Sequence, residues 1–122
     1  MGIRENTAEI RRRIALAAER AGRRPEEICL VGASKMNGAA ACREAVAAGV
    51  DALGENRVQE MLAKLDQRAY DGAPLHFIGR LQRNKVRQVV GRVELIHSAD
   101  SLALLEEIQR QAEKQALTQD VL

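Results

Sequence analysis

Aromatic residues are nearly absent from this chain of 122 residues, which has one tyrosine, one phenylalanine and no tryptophan. Proteins that bind single-stranded nucleic acids stack the bases on aromatic side chains, and this chain lacks such a platform. An excess of charge is absent too, because 19 lysines and arginines face 17 acidic residues and leave a net charge of +2. The basic runs 11–13 and 23–24 therefore predict a solvated helix face, and we expect no nucleic-acid partner.

Cysteine is scarce, and its spacing fits neither a metal site nor a redox motif. Cys29 and Cys42 both fall at apolar positions, which predicts reduced, buried thiols. The first residues lack the apolar core of a targeting signal, and no run is long enough to span a membrane. His76 and His97 fall on different predicted strands without a third ligand, so we expect no metal. These absences together favour a cytoplasmic protein without a membrane partner.

The chain is organised around the stretch 28–36, Ile-Cys-Leu-Val-Gly-Ala-Ser-Lys-Met. An apolar run of this kind predicts a strand that is buried on both faces, as in a parallel sheet. Lys35 comes where that strand should end. Burial lowers the pKa of a lysine, and the neutral amine then attacks aldehydes. Lys35 is therefore either a nucleophilic amine or a solvent-facing residue that follows a core strand.

Strand and helix patterns alternate over the remaining chain. An N-terminal helix is predicted to begin at Asn6, with Glu9 completing a capping box. Further strands are predicted at 50–53, 75–78 and 93–96, and a fifth begins at 120. The helices between them are predicted at 39–48, from Val58, at 81–90, and from Leu102 behind a cap at Ser98 or Asp100. This pattern predicts an α/β fold in which an N-terminal helix precedes about four β-α units of a parallel sheet, in one domain over 1–122.

Polar residues follow each predicted strand. Lys35 follows the first strand, Glu55 and Asn56 the second, the segment 79–84 the third, and His97 the fourth. Because the carboxyl ends of parallel strands meet at one edge of the sheet, these four loops are expected to build one site. Nucleotide-binding motifs are missing, since the chain contains neither G-x-G-x-x-G after a strand nor G-x-x-x-x-G-K-[ST].

Three segments carry a specific resemblance. They are Val-Gly-Ala-Ser-Lys at 31–35, Gly-Glu-Asn-Arg-Val-Gln-Glu at 54–60, and His-Phe-Ile-Gly-Arg-Leu-Gln-Arg-Asn-Lys at 76–85. Together they resemble the pyridoxal phosphate homeostasis proteins, which are similar to the barrel domain of bacterial alanine racemase. The resemblance covers essentially the whole chain. One local departure is Met36, where the family usually has threonine.

The resemblance implies a pyridoxal phosphate site of fold type III. Lys35 matches the lysine that holds the cofactor as a Schiff base, and Asn56 matches an asparagine near the cofactor. His76 and the segment 79–85 are expected in the wall of the site. For His76 the alternative is a hydrogen-bonded core histidine. The basic residues of 80–87 belong either to a solvated face or to a helix N-terminus that attracts phosphate. The implied function is control of the intracellular cofactor supply without catalysis.

Length is the main departure from the family. A complete (β/α)8 barrel needs roughly 200 residues or more. We therefore expect an incomplete barrel that matches the N-terminal half of the family, whose open sheet edges favour self-association. Two alternatives remain. One is an amino-acid racemase or decarboxylase of the alanine racemase type, which needs a second base; Tyr70 is predicted in a loop at the wrong end of the barrel. The other is a noncatalytic flavodoxin-like module, which leaves Lys35 unexplained.

Overall fold

Helices and strands alternate along the chain. The computed structural model describes residues 2–122. Within that range the helices are α1 (Ile3–Arg20), α2 (Ala39–Ala48), α3 (Val58–Asp66), α4 (Val86–Val89) and α5 (Leu102–Lys114). The strands are β1 (Val31–Ala33), β2 (Ala52–Glu55), β3 (Leu75–Phe77), β4 (Leu95–Ile96) and β5 (Asp120–Val121). Short 3-10 turns cover Pro25–Glu27 and Arg83–Lys85.

The strand order identifies the type of α/β fold. All neighbouring strands are parallel and follow one another in the order β1-β2-β3-β4-β5. A flavodoxin-like sheet has the order 2-1-3-4-5, because its chain reverses direction across the sheet after the first two strands. A barrel adds each new strand on the same side of the previous one. The prediction of barrel-type β-α units is confirmed, and the flavodoxin-like alternative is wrong.

One face of the sheet packs against the helices. Leu53 of β2, Phe77 of β3 and Ile96 of β4 are at most 1% exposed. They form one apolar cluster with helix residues such as Met61 of α3 and Val86 of α4. Because side chains alternate across a strand, the residues between these positions point to the opposite face. In a closed barrel that opposite face lines the interior, and we call it the inner face.

Two predicted helix starts are wrong. Helix α1 begins at Ile3 and not behind Asn6, because the backbone N–H of Gly2 donates to the Glu5 carboxylate at 3.1 Å and so supplies an earlier cap. Helix α5 is capped by Ser101, whose Oγ accepts from the backbone N–H of Leu104 at 3.1 Å. The helix predicted over 81–90 is a 3-10 turn followed by the four residues of α4.

The first strand is shorter and more open than predicted. Among residues 2–122, β1 pairs with β2 alone, so it lies at an edge of the sheet. Val31 and Gly32 are half-buried and Ala33 is exposed, which corrects the prediction of a strand buried on both faces. Cys29 precedes this edge strand and is exposed, contrary to prediction, whereas Cys42 of α2 is buried as predicted.

Candidate cofactor-binding site

The sheet register places His76 on the inner face and places Lys35 and Asn56 at matching positions beyond the ends of their strands. Ala33 is paired with Gly54, Gly54 with His76, and His76 with Leu95. Paired residues of parallel strands share a face, so His76 points inward. Lys35, Asn56 and His97 each lie two residues beyond a member of this row. The predicted convergence of polar residues at the carboxyl edge therefore follows from the register.

Lys35 lies in the turn that follows β1. It is exposed, and the expectation that burial activates it is wrong. The reason is the position of β1 at the sheet edge, where no further strand of residues 2–122 covers it. Met36 next to it has a φ of 63° and is 88% exposed. Left-handed backbone is uncommon for residues other than glycine, asparagine and aspartate, so this turn is a constrained one.

Asn56 has an unused hydrogen-bond acceptor. Its Oδ1 is buried and has no partner within residues 2–122. The backbone around it is crowded by Gly79, since a Cβ on Gly79 would lie 2.5 Å from the Asn56 carbonyl oxygen and 2.6 Å from its Cα. The glycine thus lets the loops after β2 and β3 approach each other. Buried polar atoms are normally satisfied, so Asn56 Oδ1 marks a place for an external donor.

A methyl group at Gly79 is expected to separate these two loops. The contact it makes is with backbone, which yields only if the loop moves, so Gly79→Ala should cost about 1–3 kcal/mol of unfolding free energy. Gly32→Ala is the matched control in the same sheet, because the added Cβ would lie 3.4 Å from its nearest neighbour, a Leu53 methyl carbon. We expect the control to change stability by less than about 1 kcal/mol. Urea unfolding measures both, and equal stabilities would contradict the close approach.

Both ring nitrogens of His76 have hydrogen-bond partners within the protein. It is 5% exposed. Its Nε2 lies 3.0 Å from Glu94 Oε2, and its Nδ1 lies 3.0 Å from His97 Nε2. An ionised Glu94 only accepts, so in the neutral state His76 Nε2–H donates to it and His97 Nε2–H donates to His76 Nδ1. This assignment leaves His97 Nδ1 as an acceptor. Burial, with the neighbouring His76, lowers the pKa of His97 and favours that neutral form.

The basic cluster of 80–87 is divided between two clefts. Arg80 and Lys85 line an open cleft of about 560 Å³ beside Asn56. Arg83 and Arg87 instead line a cleft of about 700 Å³ that α5 borders on the outer side. The ten-residue helix predicted here is absent, since α4 has only four residues. Helix α4 begins at Val86, later than predicted, and the two alternatives for the basic residues, a solvated face and attraction of phosphate, stay predictions.

A buried ionic network lies beside the turn that contains Lys35, and the sequence analysis does not predict it. Glu55 is 0% exposed, and its Oε2 accepts from Lys64 Nζ at 2.6 Å, Tyr70 Oη at 2.7 Å and Ser34 Oγ at 2.9 Å. Lys64 Nζ also lies 2.8 Å from Glu60 Oε2. Tyr70 was predicted in a loop far from the site, yet its hydroxyl reaches this network. An alternation signal existed: if β2 continues through Glu55, that side chain points toward the helices and Asn56 points inward.

The charges of this network reinforce one another. Burial by itself lowers the pKa of Lys64, but the hydrogen bonds to Glu55 and Glu60 outweigh it and raise that pKa above its usual value. The hydrogen bond from Lys64 lowers the pKa of Glu60 against the opposing effect of burial. Burial, followed by the contact with Glu55, raises the pKa of Tyr70 far above its usual value. Near neutral pH the network therefore contains the Lys64 ammonium, the Glu60 carboxylate and the protonated Tyr70 phenol.

Stability in acid is expected to depend on Glu60. Its pKa is lowered in the folded chain, so its carboxylate contributes stability that is fully present above the ordinary value of 4.5 and is lost as the pH falls through the lowered folded value. Urea titrations between about pH 3 and 7 should show this fall. Glu60→Gln should make the fall shallower, whereas Glu26→Gln, at an exposed position, should not. A slope that Glu60→Gln leaves unchanged would contradict this role.

Solved structures with the same fold include relatives of this chain. A protein of unknown function from Bifidobacterium adolescentis has a TM-score of 0.90 and 36% sequence identity, and the match covers 98% of this chain and 53% of that one. PipY of Synechococcus elongatus, solved with pyridoxal phosphate bound, has a TM-score of 0.73 and 40% identity over 88% of this chain and 52% of its own. No protein-family model matches the chain.

Curated relatives share one description. The pyridoxal phosphate homeostasis protein of Aquifex aeolicus is 45% identical over 118 residues, which are 97% of this chain and 52% of that protein. The chain is similar to the pyridoxal phosphate homeostasis proteins over nearly its whole length. The homologue from Pseudomonas aeruginosa is 41% identical over 109 residues, 89% of this chain and 47% of its own. The chain thus spans about half the length of the curated family members it matches. The resemblance drawn from the three sequence segments is confirmed.

Residues 2–122 contain neither a membrane-spanning helix nor a metal-binding cluster. No helix there combines the length and apolar character that a membrane crossing requires. No group of three or more histidine, cysteine, aspartate or glutamate side chains is arranged to hold a metal ion in that range.

Proposed function

We propose that this chain is a cofactor-carrying part of a pyridoxal phosphate homeostasis protein, with Lys35 as the residue of attachment. The observation that carries the proposal is the position of Lys35, an exposed residue two positions beyond Ala33 of β1, as Asn56 is two positions beyond Gly54, the residue paired with Ala33. In barrels of this kind, functional residues lie at the carboxyl ends of the strands. The bound cofactor of PipY, which is 40% identical, supports the same ligand here.

The residues present fit this cofactor. The Lys35 amine would add its lone pair to an aldehyde carbon; the aldehyde oxygen and two amine protons would leave as one water, and a carbon–nitrogen double bond would remain. The unpartnered Oδ1 of Asn56 accepts from a hydroxyl or a ring N–H of the ligand. His97 offers Nδ1 as a further acceptor, and His76 holds the His97 ring in place. When bound, pyridoxal phosphate supplies an electron-withdrawing ring.

A carrier role is favoured over catalysis by the environment of Tyr70. A racemase needs a second acid–base group opposite the attachment lysine, and a tyrosine is the residue the resemblance implies. Tyr70 is the only tyrosine of the chain and is 5% exposed. Its hydroxyl proton is donated to Glu55, and its raised pKa keeps it protonated. A phenol in that state is not a base, so we propose that this chain regulates cofactor supply and does not racemise amino acids.

The free thiols bear on the location of the chain, and the open sheet edges bear on its assembly. The free thiols Cys29 and Cys42 suit a reducing compartment, and we propose a cytoplasmic location. Strands β1 and β5 are the outer strands of the sheet, and Val121 and Leu122 beside the second edge are exposed. Open edges and bare apolar side chains recruit further strands. We therefore propose that the 122-residue chain pairs with another copy when it is alone.

The test is cofactor titration combined with sedimentation of the 122-residue chain. Barrels of this type commonly bind phosphate with the loops after strands seven and eight, whereas residues 2–122 supply five strands. Two missing hydrogen bonds to the charged phosphate weaken binding by about two to four orders of magnitude. We expect visible absorbance to report weaker binding than PipY shows in parallel, and sedimentation to report dimers or larger species. A monomer that matches the affinity of PipY would contradict both expectations.

A further inference from the structure

We infer that Glu60 and Lys64 of α3, together with Glu55 of β2, form a clamp that holds the backbone on both sides of Lys35 and so positions its amine. The inference rests on the proposed attachment of the cofactor to Lys35. It adds three positioning residues that lie on the helix side of the sheet, outside the inner face.

The clamp grips the peptide groups before and after Lys35. Lys64 Nζ donates to the carbonyl oxygen of Ser34 at 2.7 Å, and the backbone N–H of Met36 donates to Glu60 Oε2 at 2.7 Å. Lys64 and Glu60 are themselves paired at 2.8 Å on neighbouring turns of α3. The two neighbours of Lys35 are therefore tied to one ion pair on a helix.

A second contact anchors the clamp in the core. Lys64 Nζ lies 2.6 Å from Glu55 Oε2, which also accepts from the Ser34 hydroxyl at 2.9 Å. Ser34, Glu55 and Lys64 are all at most 6% exposed. Buried charges with fixed partners move less than exposed side chains do. The clamp thus connects the turn to the two elements that follow it, β2 and α3.

The backbone of the turn needs such support. The N–H of Asn37 donates to the Ser34 carbonyl at 3.1 Å and closes a four-residue turn, in which Met36 has a φ of 63°. This conformation is unfavourable for methionine, and its side chain is 88% exposed and so gains little from packing. The hydrogen bond from the Met36 N–H to Glu60 ties this unfavourable conformation to α3.

A buried ionic network is a costly way to stabilise a fold. Charges removed from water lose hydration free energy, and a hydrophobic replacement is often as stable as a buried ion pair. Here the Glu60–Lys64 pair forms its remaining hydrogen bonds with the backbone on both sides of the exposed Lys35. Holding a reactive group in a fixed geometry raises its effective concentration toward a bound partner. Positioning of Lys35 explains why the charges lie at this place.

The experiment compares Glu60→Ala with Glu60→Gln. The first variant removes the acceptor for the Met36 N–H but keeps the Glu55–Lys64 pair, and the second retains a side-chain oxygen that accepts. Each protein is mixed with pyridoxal phosphate, reduced with borohydride, and analysed for pyridoxyl mass on each lysine. The ratio of label on Lys35 to label on the exposed Lys114 cancels differences in concentration. We expect Glu60→Ala to lower this ratio about tenfold or more, and Glu60→Gln to restore most of it.

The possible results separate the two proposals. Equal label on Lys35 and Lys114 in the unmodified chain overturns the attachment site, and the clamp with it. Preferential label on Lys35 that Glu60→Ala leaves unchanged overturns the clamp alone. Amide hydrogen exchange gives a readout without cofactor: Met36 should be protected in the unmodified chain, and Glu60→Ala should remove that protection selectively. Rapid exchange of Met36 in the unmodified chain overturns the clamp even if Glu60→Ala fails to fold.

Discussion

Replacing Lys35 with alanine is expected to abolish specific attachment of pyridoxal phosphate. The chain has four lysines. Lys35 is exposed at the carboxyl edge of the sheet. Lys64 is 6% exposed, its Nζ is held by three oxygen acceptors, and its raised pKa keeps it as an ammonium, which is not a nucleophile. Lys114 ends α5, and Lys85 is half-buried in the cleft beside Asn56.

The measurement is borohydride reduction followed by peptide mass analysis. In a full-length homologue or in this chain, the pyridoxyl mass should appear on Lys35, and Lys35→Ala should reduce the total label to the adventitious level. Lys35→Arg should behave in the same way, because it keeps the positive charge but has no primary amine. Lys114→Ala is the matched control and should leave the label in place. Label that stays at the level of the unmodified chain after Lys35→Ala would refute the assignment.

Replacing Glu55 with alanine is expected to have the largest effect on stability. The carboxylate is fully buried and is the shared acceptor for Lys64, Tyr70 and Ser34. Its removal leaves a buried ammonium with fewer partners and a buried phenol without its acceptor. Breaking a buried ion pair from one side costs about 3–5 kcal/mol. That loss is a large fraction of the total stability of a small domain, which is about 5–15 kcal/mol.

Urea unfolding of Glu55→Ala tests this expectation. Glu9 provides a control, because it pairs with Arg12 and Arg13 on the exposed surface of α1. Solvent and salt screen such pairs, so Glu9→Ala should change the unfolding free energy far less. Glu55→Gln should fall between the two variants, because the amide keeps the shape and one acceptor oxygen. A loss below about 1 kcal/mol for Glu55→Ala would show that the network contributes little to folding.

The repeating pattern of apolar residues and glycines is enough to predict the alternation of parallel strands and helices. The predicted helix at 39–48 and the strand beginning at Asp120 agree with α2 and β5. Both signals are local: an alanine-rich run closed by Gly49, whose φ is 106°, and a short run that resumes the strand pattern. The predicted starts of α1 and α5 are wrong because several polar residues near a helix start can act as its cap. In this chain Glu5 and Ser101 form the capping hydrogen bonds, and the predicted residues do not.

The sequence by itself determined the alternation of strands and helices, the polar loop after each strand and the resemblance to the pyridoxal phosphate homeostasis proteins. Only the tertiary structure decided the sequential strand order, the exposure of Lys35 at the sheet edge, and the opposite directions of Glu55 and Asn56. The physical reason is that these features depend on pairing between segments about 20 residues apart, such as Ala33 with Gly54 and Gly54 with His76. A shift of one residue in that pairing would exchange the two faces, and short-range patterns do not record it.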